Sequence, residues 1–463
     1  MYYSSTRGGD NNQKFVDVLL NGLANDGGLY VPDKIPKIRK NKFEEYSKMT
    51  YGELAYEVTK DFVDSEDIPL KSYKEICLKT YAGFSEKKII SIENLKQNEF
   101  ILNLFNGPTF AFKDFALQLL GNLYDFILSK KKRQLTILGA TSGDTGSAAI
   151  YGCSKSDYVK MFILFPEGKV SEIQRKQMTT FKKENVLNIA VKGDFDDCQK
   201  LVKRFFLLNN KKKQYNLAAI NSINWVRIMG QLVYYFWSFL KVSNDLRPLT
   251  FVVPTGNFGN VFAGFVAKKM GLPVKRFVVA SNKNDILTRF FNSGEMKVIK
   301  TKESLSPSMD IQISSNFERL LDFVLNDKSL IKSLFCNLDK KGSFSINKLS
   351  LKKILEDFYS GKLSDKETIN TIKDIYCDFK LVIDPHTAVG LAVGRKVLND
   401  TEKRIYLSTA HYGKFINTVK RAISEKIYFP LELQKVLNKT EEYRIINNDI
   451  IELEELIGKE IKN

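Results

Sequence analysis

Histidine is scarce in this sequence: only His386 and His411 occur among 463 residues. A metal site built from several imidazoles is therefore nearly excluded, and acid–base chemistry must fall largely to Lys, Asp, Glu or Tyr, or to a cofactor. Cysteine is also scarce, with five residues at positions 77, 153, 198, 336 and 377 and no CxxC pair. This odd, scattered set indicates a reducing compartment and argues against a structural zinc site, so we predict no metal.

Long hydrophobic runs and a secretory signal are absent as well. The longest apolar stretch, QLVYYFWSFL (231–240), is too short to cross a bilayer and lies between Arg227 and Lys241. The opening residues, MYYSSTRGGDNNQ, lack the basic start and apolar core of a signal peptide. With 43% hydrophobic and 27% charged residues, the chain is predicted to be a soluble cytoplasmic protein with no membrane partner.

Acidic residues are outnumbered by basic ones, which gives a formal net charge of +18. Such a charge raises the question of nucleic-acid binding, but the lysines are spread along the chain and no RNA- or DNA-binding motif accompanies them. A lysine-rich compositional bias explains the charge equally well. We therefore predict no nucleic-acid partner, while a basic surface would help to steer an anionic small substrate.

Apolar, strand-like runs alternate with helical segments from about residue 97 onwards. The runs are FILNLF (100–105), LTILG (135–139), YVKMFILFP (158–166), TFVVP (250–254), RFVVAS (276–281), FKLVIDP (379–385) and RIYLSTA (404–410). This alternation predicts an α/β fold with parallel strands covered on both faces. We expect an N-terminal unit over 1–85, an α/β region over 86–430 that includes a helical insertion at about 300–375, and a charged helical tail over 431–463.

Lys113 stands in an apolar and aromatic run, GPTFAFKDFALQLL (107–120). The apolar positions 116, 119, 120, 123 and 127 have the spacing of one buried helical face, with Asp114 as the predicted N-cap. Burial and the positive end of the helix both favour the neutral, nucleophilic amine. For this segment alone, a solvated lysine at a helix start is the alternative.

Two strand–loop–helix units resemble each other, LTILGATSGDTGSAAIYG (135–152) and LTFVVPTGNFGNVFAGFV (249–266). Each places glycines and small polar residues where a strand ends and a helix begins, which suits an anion cradle. Neither is GxGxxG or a Walker A sequence, so a dinucleotide or ATP is not indicated. Small residues also serve tight strand–helix packing, but together with Lys113 the loops suggest pyridoxal phosphate.

Several motifs in order along the chain resemble the threonine synthase family, in its longer bacterial and fungal kind. They are YYSSTRGG, GLANDGGLYVP, GPTFAFKDFALQLL, GATSGDTGSAA, NSINWVRI, PTGNFGN, SPSMDIQISSNFERLL and LSTAHYGKF. The resemblance covers nearly the whole chain. It implies a fold type II pyridoxal-phosphate enzyme, with two open twisted α/β domains around a cofactor cleft, an extra N-terminal domain and the helical insertion. The implied reaction converts O-phospho-L-homoserine and water to L-threonine and phosphate.

The same resemblance assigns roles to individual residues. Lys113 matches the family's Schiff-base lysine, and Thr409 matches the residue that faces the pyridine nitrogen. The loop for the cofactor phosphate comprises Gly256, Asn257, Phe258, Gly259 and Asn260. The residues expected to grip the substrate are Ser142, Gly143, Asp144 and Thr145, together with Asn221, Arg227 and Lys414. Related enzymes commonly have asparagine where Asp144 stands, which leaves its contact open.

Structural interpretations stand beside some of these roles. Asn221 and Asn224 equally suit loop support, and Arg227, Lys414 and Ser222 equally suit structural roles. His411 suits either assistance near the cofactor or only a backbone hydrogen bond, and the structural role is favoured. The segment SPSMDIQISSNFERLL (306–321) fits either the substrate pocket or packing of the insertion. Tyr412 and Gly413 replace the family's usual proline and alanine, which predicts a freer loop near Thr409.

Other functions remain open at this point. A phosphohomoserine lyase that releases 2-oxobutyrate and ammonia would need the same residues, since the outcome depends on one positioned water. The long N-terminal region and the insertion argue against serine or threonine dehydratase and cysteine synthase. We expect a small-molecule substrate and a monomer or weak homodimer.

Overall fold

The computed structural model describes residues 1–84, 89–212, 214–243 and 245–462. The expected domain boundary at residues 85 and 86 lies outside these ranges. The strands are β1 (Tyr2–Ser5), β2 (Gln13–Lys14), β3 (Tyr30–Pro32), β4 (Ser91–Lys96), β5 (Glu99–Asn103), β6 (Leu135–Ala140), β7 (Val159–Pro166), β8 (Val186–Lys192), β9 (Leu217–Ala218), β10 (Leu249–Pro254), β11 (Val274–Ser281), β12 (Glu295–Lys297), β13 (Ser343–Ser345), β14 (Phe358–Lys362), β15 (Arg404–Ser408) and β16 (Arg444–Asn447).

Helices separate most of these strands. They are α1 (Phe15–Asn21), α2 (Phe43–Ser47), α3 (Tyr51–Thr59), α4 (Leu70–Ala82), α5 (Lys113–Lys131), α6 (Asp144–Cys153), α7 (Glu172–Thr179), α8 (Phe195–Lys212), α9 (Trp225–Val242), α10 (Gly259–Met270), α11 (Ile286–Ser293), α12 (Phe317–Leu325), α13 (Lys328–Lys341), α14 (Lys348–Leu355), α15 (Asp365–Phe379), α16 (Pro385–Val397), α17 (Ile416–Ala422), α18 (Leu431–Leu437) and α19 (Ile450–Lys462). Short 3-10 turns occur at Lys40–Lys42, Lys60–Phe62, Pro307–Met309 and Tyr412–Phe415. None of the helices in the described ranges is long and apolar enough to cross a membrane.

The larger sheet has six strands in the order β14-β11-β10-β15-β5-β4. Its strands run parallel except β4, which pairs antiparallel with β5. β14 shows that the predicted 300–375 insertion is not wholly helical, because a strand from it extends the sheet. The predicted strand at 379–385 is wrong: these residues connect α15 to α16, and Asp384 caps α16 by accepting hydrogen bonds from His386 N and Thr387 N.

The smaller sheet has five strands in the order β16-β8-β7-β6-β9, and all of its pairs are parallel. The C-terminal tail is therefore not only helical, since β16 pairs with β8 before α19 packs over α8. These two sheets, one wholly and one largely parallel and both covered by helices, confirm the α/β class with two twisted domains. A cleft lies where the carboxyl ends of the strands of both sheets approach each other.

The N-terminal unit comprises the three-stranded sheet β2-β1-β3 and the helices α1 to α4. Its aromatic side chains pack into the catalytic region: Tyr3 and Phe62 contact Trp225, and Tyr51 contacts Phe115, with ring centroids 5.5 to 6.1 Å apart. One continuous hydrophobic core joins this unit to α5 and α9. The N-terminal residues therefore support the helix that carries Lys113.

Candidate active site

Four strand ends bring the predicted site residues together. β5 and β15 are neighbouring parallel strands, and the segments after them carry Lys113 and Thr409. β10 lies on the other side of β15 and is followed by the loop that begins before Gly256. β6, in the smaller sheet, leads to Asp144. Ligands in open α/β sheets bind at such carboxyl ends, so the cleft is the candidate site.

Lys113 is the first residue of α5, so Asp114 is not the cap that the sequence suggested. The predicted helical face is buried throughout, and Lys113 itself is only 14% exposed. Its Nζ lies 3.4 Å from Asp144 Oδ2 and 4.9 Å from the centre of the Phe112 ring. Burial lowers the pKa of Lys113. The positive charges of Lys414 and Arg227 lower this pKa further, whereas the Asp144 carboxylate raises it.

Asp144 connects the two halves of the cleft. Its Oδ1 accepts hydrogen bonds from Lys414 Nζ at 2.7 Å and from Gln174 Nε2 at 2.8 Å. Its Oδ2 faces Lys113 Nζ and Ser308 Oγ, each at 3.4 Å. Burial would raise the pKa of this carboxyl, but Lys414 and Lys113 hold it well below the usual range. Asp144 is therefore an ionised partner for two buried lysines.

The loop before Lys113 is fixed by a second buried carboxylate. Asp114 accepts hydrogen bonds from the backbone N and the hydroxyl of Thr109, both at 2.8 Å, and burial raises its pKa to about 6. The carbonyl of Thr109 accepts a bond from the fully buried Lys414 Nζ at 2.8 Å. Asp114 thus holds the loop whose carbonyl helps to hold Lys414.

The predicted phosphate loop has the form of an anion cradle. It enters α10 through Phe258, which adopts a left-handed conformation with φ 61°. The N–H groups of the first helical turn have no intrahelical acceptor, and the helix dipole is positive there. A Cβ on Gly256 would lie 2.9 Å from the carbonyl oxygen of Ser308, so only glycine allows this close approach.

The side-chain oxygen of Asn260 is hydrogen-bonded within the protein and takes no part in binding an anion. Its Oδ1 accepts hydrogen bonds from the hydroxyls of Tyr234 and Tyr235 at 2.6 and 2.8 Å. Its buried Nδ2 has no hydrogen-bond partner among the described residues. What Asn260 offers the cradle is its backbone N–H in the first turn of α10.

Thr409 lies directly beside the Lys113 loop, because its carbonyl accepts a hydrogen bond from Phe112 N at 2.9 Å. The next turn is not a loosened loop, in contrast to the prediction. His411 Nδ1 accepts a bond from Gly413 N at 3.0 Å, and Tyr412 donates to the carbonyl of Tyr428 at 2.9 Å. Burial lowers the pKa of His411 to about 4, so this histidine is neutral at pH 7.

The segment NSINWVRI mostly builds the wall of the site. Asn224 is the N-cap of α9 and also donates to the carbonyl of Leu19 at 2.9 Å, which favours loop support for that residue. Asn221 accepts a backbone bond from Asn224 N at 3.2 Å. Arg227 is buried and donates from Nη1 to the carbonyl of Ile220 at 2.8 Å, while its Nε has no partner in the described part of the chain.

In the other predicted substrate loop, Ser142, Gly143 and Thr145 surround the start of α6. Gly143 has φ 129°, and its N–H and that of Gly146 both donate to Thr141 Oγ1 at 2.9 Å. The geometry keeps these residues at the cleft next to Asp144. Their contacts with substrate stay a prediction.

Sequence reasoning missed several side chains that complete the site. Gln174 and Ser308 both contact Asp144, and Asn316 binds the phosphate loop through its backbone. Ser308 and Asn316 belong to the segment 306–321, whose resemblance to the family was the signal. Part of this segment contacts the candidate site and part of it packs into the core. Gln174 lies in an ordinary polar helix, and no sequence pattern marks it.

The residues present fit pyridoxal phosphate. A buried amine with lowered pKa suits an aldehyde, and a helix start with a glycine-lined cradle suits a phosphate group. Gly256 lies against the carbonyl of Ser308, and the Ser308 hydroxyl lies beside the Asp144 carboxylate. The same carboxylate faces Lys113 Nζ, so the amine and the phosphate loop share one cleft. The described ranges hold no group of three His, Cys, Asp or Glu side chains placed for a metal ion.

Family models match three parts of the chain. Residues 2–81 match the threonine synthase N terminus, 89–332 match the pyridoxal-phosphate dependent enzymes, and 387–457 match the threonine synthase C-terminal region. The chain is also 42% identical over 462 residues to the threonine synthase of Pseudomonas aeruginosa, covering 99% of this chain and 98% of the relative. The Saccharomyces cerevisiae threonine synthase is 40% identical over 493 residues, with coverage of 97% and 96%.

Solved structures agree with these matches. The crystal structure of a PLP-bound threonine synthase from Brucella melitensis superposes with a TM-score of 0.95 at 40% identity and covers 99% of each chain. The yeast threonine synthase structure gives a TM-score of 0.92 at 38% identity, covering 100% of this chain and 99% of that one. Both likenesses extend over the N-terminal unit as well as the two sheets.

Proposed function

The chain belongs to the threonine synthase family, and we propose that it converts O-phospho-L-homoserine and water to L-threonine and phosphate around Lys113. The observation that carries this proposal is the buried Lys113 amine, which lies 3.4 Å from an Asp144 carboxylate that Lys414 also binds. These groups lie beside a glycine-lined helix start suited to a phosphate. The chemistry needs a nucleophilic amine, and Lys113 is buried with its pKa lowered chiefly by that burial.

Bound pyridoxal phosphate supplies an electron sink that stabilises negative charge at the substrate's Cα. The N–H groups at Gly259 and Asn260 are the donors that would hold its phosphate, and the hydroxyl of Thr409 would face its ring nitrogen. A hydroxyl there, unlike a carboxylate, does not force that nitrogen to stay protonated. Ser142 to Thr145 would bind the substrate's α-carboxylate at the start of α6.

Lys113 is the proposed proton carrier. Its amine would take the proton from Cα and then a proton from Cβ. Phosphate leaves Cγ with the electron pair of the C–O bond, and a proton reaches Cγ, which becomes the methyl group. Water then adds its hydroxyl at Cβ and a proton returns to Cα, which balances the reaction. Burial lowers its pKa, Lys414 and Arg227 act in the same direction against Asp144, and the lowered pKa eases release of each proton that the amine accepts. Lys414, Arg227 and Asn221 are proposed to attract and orient the leaving phosphate.

The exposed cysteines bear on the compartment of the protein. Cys336 and Cys377 are exposed free thiols, which supports a reducing, cytoplasmic location. We also propose a monomer or weak homodimer that binds neither nucleic acid nor membrane, with the three domains given above.

The test is product balance. Purified protein is incubated with pyridoxal phosphate and O-phospho-L-homoserine, and phosphate, threonine and 2-oxobutyrate are quantified. We expect threonine equal to phosphate, with Lys113→Ala slower by at least about 10³-fold, because the variant lacks the group that moves protons. Lys130→Ala, an exposed lysine on the same helix, is the matched control and should keep full activity. Phosphate released with 2-oxobutyrate instead of threonine would make the chain a lyase.

A further inference from the structure

Arg319 is a fully buried arginine that binds three separate segments. Its Nε donates to the carbonyl of Tyr30 at 3.0 Å, Nη1 donates to Asn316 Oδ1, and Nη2 donates to the carbonyl of Ile223. No carboxylate among the described residues lies within ion-pair distance of it, and burial lowers its pKa to about 9. Burying a guanidinium costs desolvation free energy, and the three hydrogen bonds of Arg319 offset that cost.

The segment next to Arg319 holds the phosphate loop. Asn316 N donates to the carbonyl of Asn257 at 3.1 Å, and Ser314 Oγ donates to the carbonyl of Gly256 at 2.7 Å. Asn316 Nδ2 donates to Ser222 Oγ at 3.1 Å, so the same side chain also reaches the segment before α9. These bonds fix the 256–257 and 257–258 peptide planes, which lead directly into Phe258 and the first turn of α10.

The loop needs such support because Phe258 is left-handed. A bulky residue in that conformation is strained by about 1–2 kcal/mol, so its surroundings must hold it. The Phe258 ring packs edge-on against Phe317 with centroids 5.1 Å apart, and Phe317 is the first residue of α12. The backbone of Asn316 thus binds the carbonyl just before Phe258, and the Phe317 ring packs against the Phe258 ring. Arg319, one turn further along α12, binds the side chain of Asn316.

We propose that Arg319 is a positioning residue that keeps the 256–260 loop in its phosphate-binding form. It fixes Asn316 and, through Tyr30 in β3, ties the loop to the N-terminal unit. Its neighbour Glu318 reinforces this tie, since it accepts two bonds from Arg7 at 2.9 Å and one from Thr6 at 2.6 Å. This inference rests on the proposed cofactor site, and it adds a role for the N-terminal unit in cofactor affinity.

The experiment compares pyridoxal phosphate with pyridoxal, which has the aldehyde but no phosphate. Both are titrated into cofactor-free wild type and Arg319→Lys, with visible absorbance as the readout. Lysine keeps the charge but cannot span three acceptors arranged for a planar fork. We expect Kd for pyridoxal phosphate to rise about tenfold or more, as for the loss of one or two hydrogen bonds, with Kd for pyridoxal nearly unchanged.

Arg404→Lys is the matched control. Arg404 is equally buried, but it is the first residue of β15 and binds Glu99. Thr409 follows the other end of the same strand, so Arg404 lies far from the cleft. We expect it to lower the melting temperature without altering the ratio of the two dissociation constants. Equal weakening of both ligands in Arg319→Lys, or no weakening, would overturn the proposal, as would the same ratio change in Arg404→Lys.

A second variant protects the test if Arg319→Lys does not fold. Asn316→Ala removes the side-chain link but leaves Arg319 bonded to two carbonyls, and it should change the ratio in the same direction. An unchanged ratio in Asn316→Ala would contradict the proposal. Wild type that binds pyridoxal phosphate but makes no threonine would defeat the proposed function alone, because the titrations do not depend on turnover.

Discussion

Asp144 is the residue on which the charges of the site depend. It lies between Lys113 and Lys414, and it accepts a further bond from Gln174. An asparagine here would leave the buried Lys414 without its carboxylate partner and would remove the carboxylate that faces Lys113 Nζ. The pairing with Lys414 therefore explains why an aspartate suits this position.

We predict that Asp144→Asn lowers kcat/KM by about 10²-fold. The variant leaves a buried charge unpaired, which costs several kcal/mol of free energy and displaces the groups around Lys113. Removing the carboxylate also removes the interaction that raises the pKa of Lys113. The pKa therefore falls further, and the acidic limb of the pH profile of kcat moves to lower pH. Steady-state kinetics between pH 5.5 and 9 measure both effects.

The half-buried Asp125 on the same helix as Lys113 provides the control, and Asp125→Asn should leave both kinetic properties as in wild type. An Asp144→Asn enzyme with full turnover and an unmoved acidic limb would contradict the assigned role of this carboxylate.

At the scale of elements, the site depends on the close crossing of α5 and α6. Their first residues are Lys113 and Asp144, and their backbones touch at Gly121 and Gly152. A Cβ on Gly121 would lie 2.1 Å from the carbonyl oxygen of Gly152, and one on Gly152 would lie 2.4 Å from that of Leu117. No other residue type allows this spacing, which sets the distance between the amine and the carboxylate.

We predict that Gly121→Ala destabilises the protein by about 1–3 kcal/mol, because the two helices must move apart. Activity should fall as well, since the separation of Lys113 from Asp144 changes. Gly83→Ala, where the added Cβ has no neighbour nearer than 3.9 Å among the described residues, should stay within about 0.5 kcal/mol of wild type. Denaturant unfolding measures the free energies, and equal stability of both variants would contradict the packing argument.

Elements with strong local patterns could be predicted from the sequence. The runs at 135–139 and 250–254 are buried on both faces and form central strands. β14 and β16 could not be predicted, because each is short, half-exposed and paired at a sheet edge. The run FKLVIDP was wrongly predicted as a strand, because its apolar residues pack beside α15 and α16 instead of a neighbouring strand.

The residues of the candidate site could be predicted only through motifs, since Lys113, Gly256 and Thr409 are far apart in sequence. Periodicity indicated the buried face around Lys113, and the family resemblance supplied the rest. The contacts of Asp144 with Lys414 and Gln174 arise from packing between two sheets, which no local pattern encodes. The roles of these residues toward cofactor and substrate stay predictions.

Stability of the whole molecule should depend on pH through Glu99. Its carboxylate is buried, accepts hydrogen bonds from Arg395, Arg404 and Tyr406, and joins β5 to β15 and α16. Burial opposes ionisation, but these partners lower its pKa to about 2. The stabilisation is therefore complete above the ordinary value of about 4.5 and is lost as the pH falls towards 2.

We predict that Glu99→Gln is less stable than wild type at pH 7 and loses less stability between pH 5 and pH 2. Urea unfolding at several pH values measures this, with Glu455→Gln on the exposed side of α19 as the control. Parallel pH profiles for wild type and Glu99→Gln would show that another group is responsible.

Chemical trapping tests most directly whether Lys113 holds the cofactor. Borohydride treatment of the holoenzyme fixes pyridoxal phosphate to the amine that binds it, and mass spectrometry of the peptides locates the label. We predict one label, on Lys113, in the peptide that contains the start of α5. A label on Lys414 or any other lysine, or the same labelling in Lys113→Ala, would contradict the account.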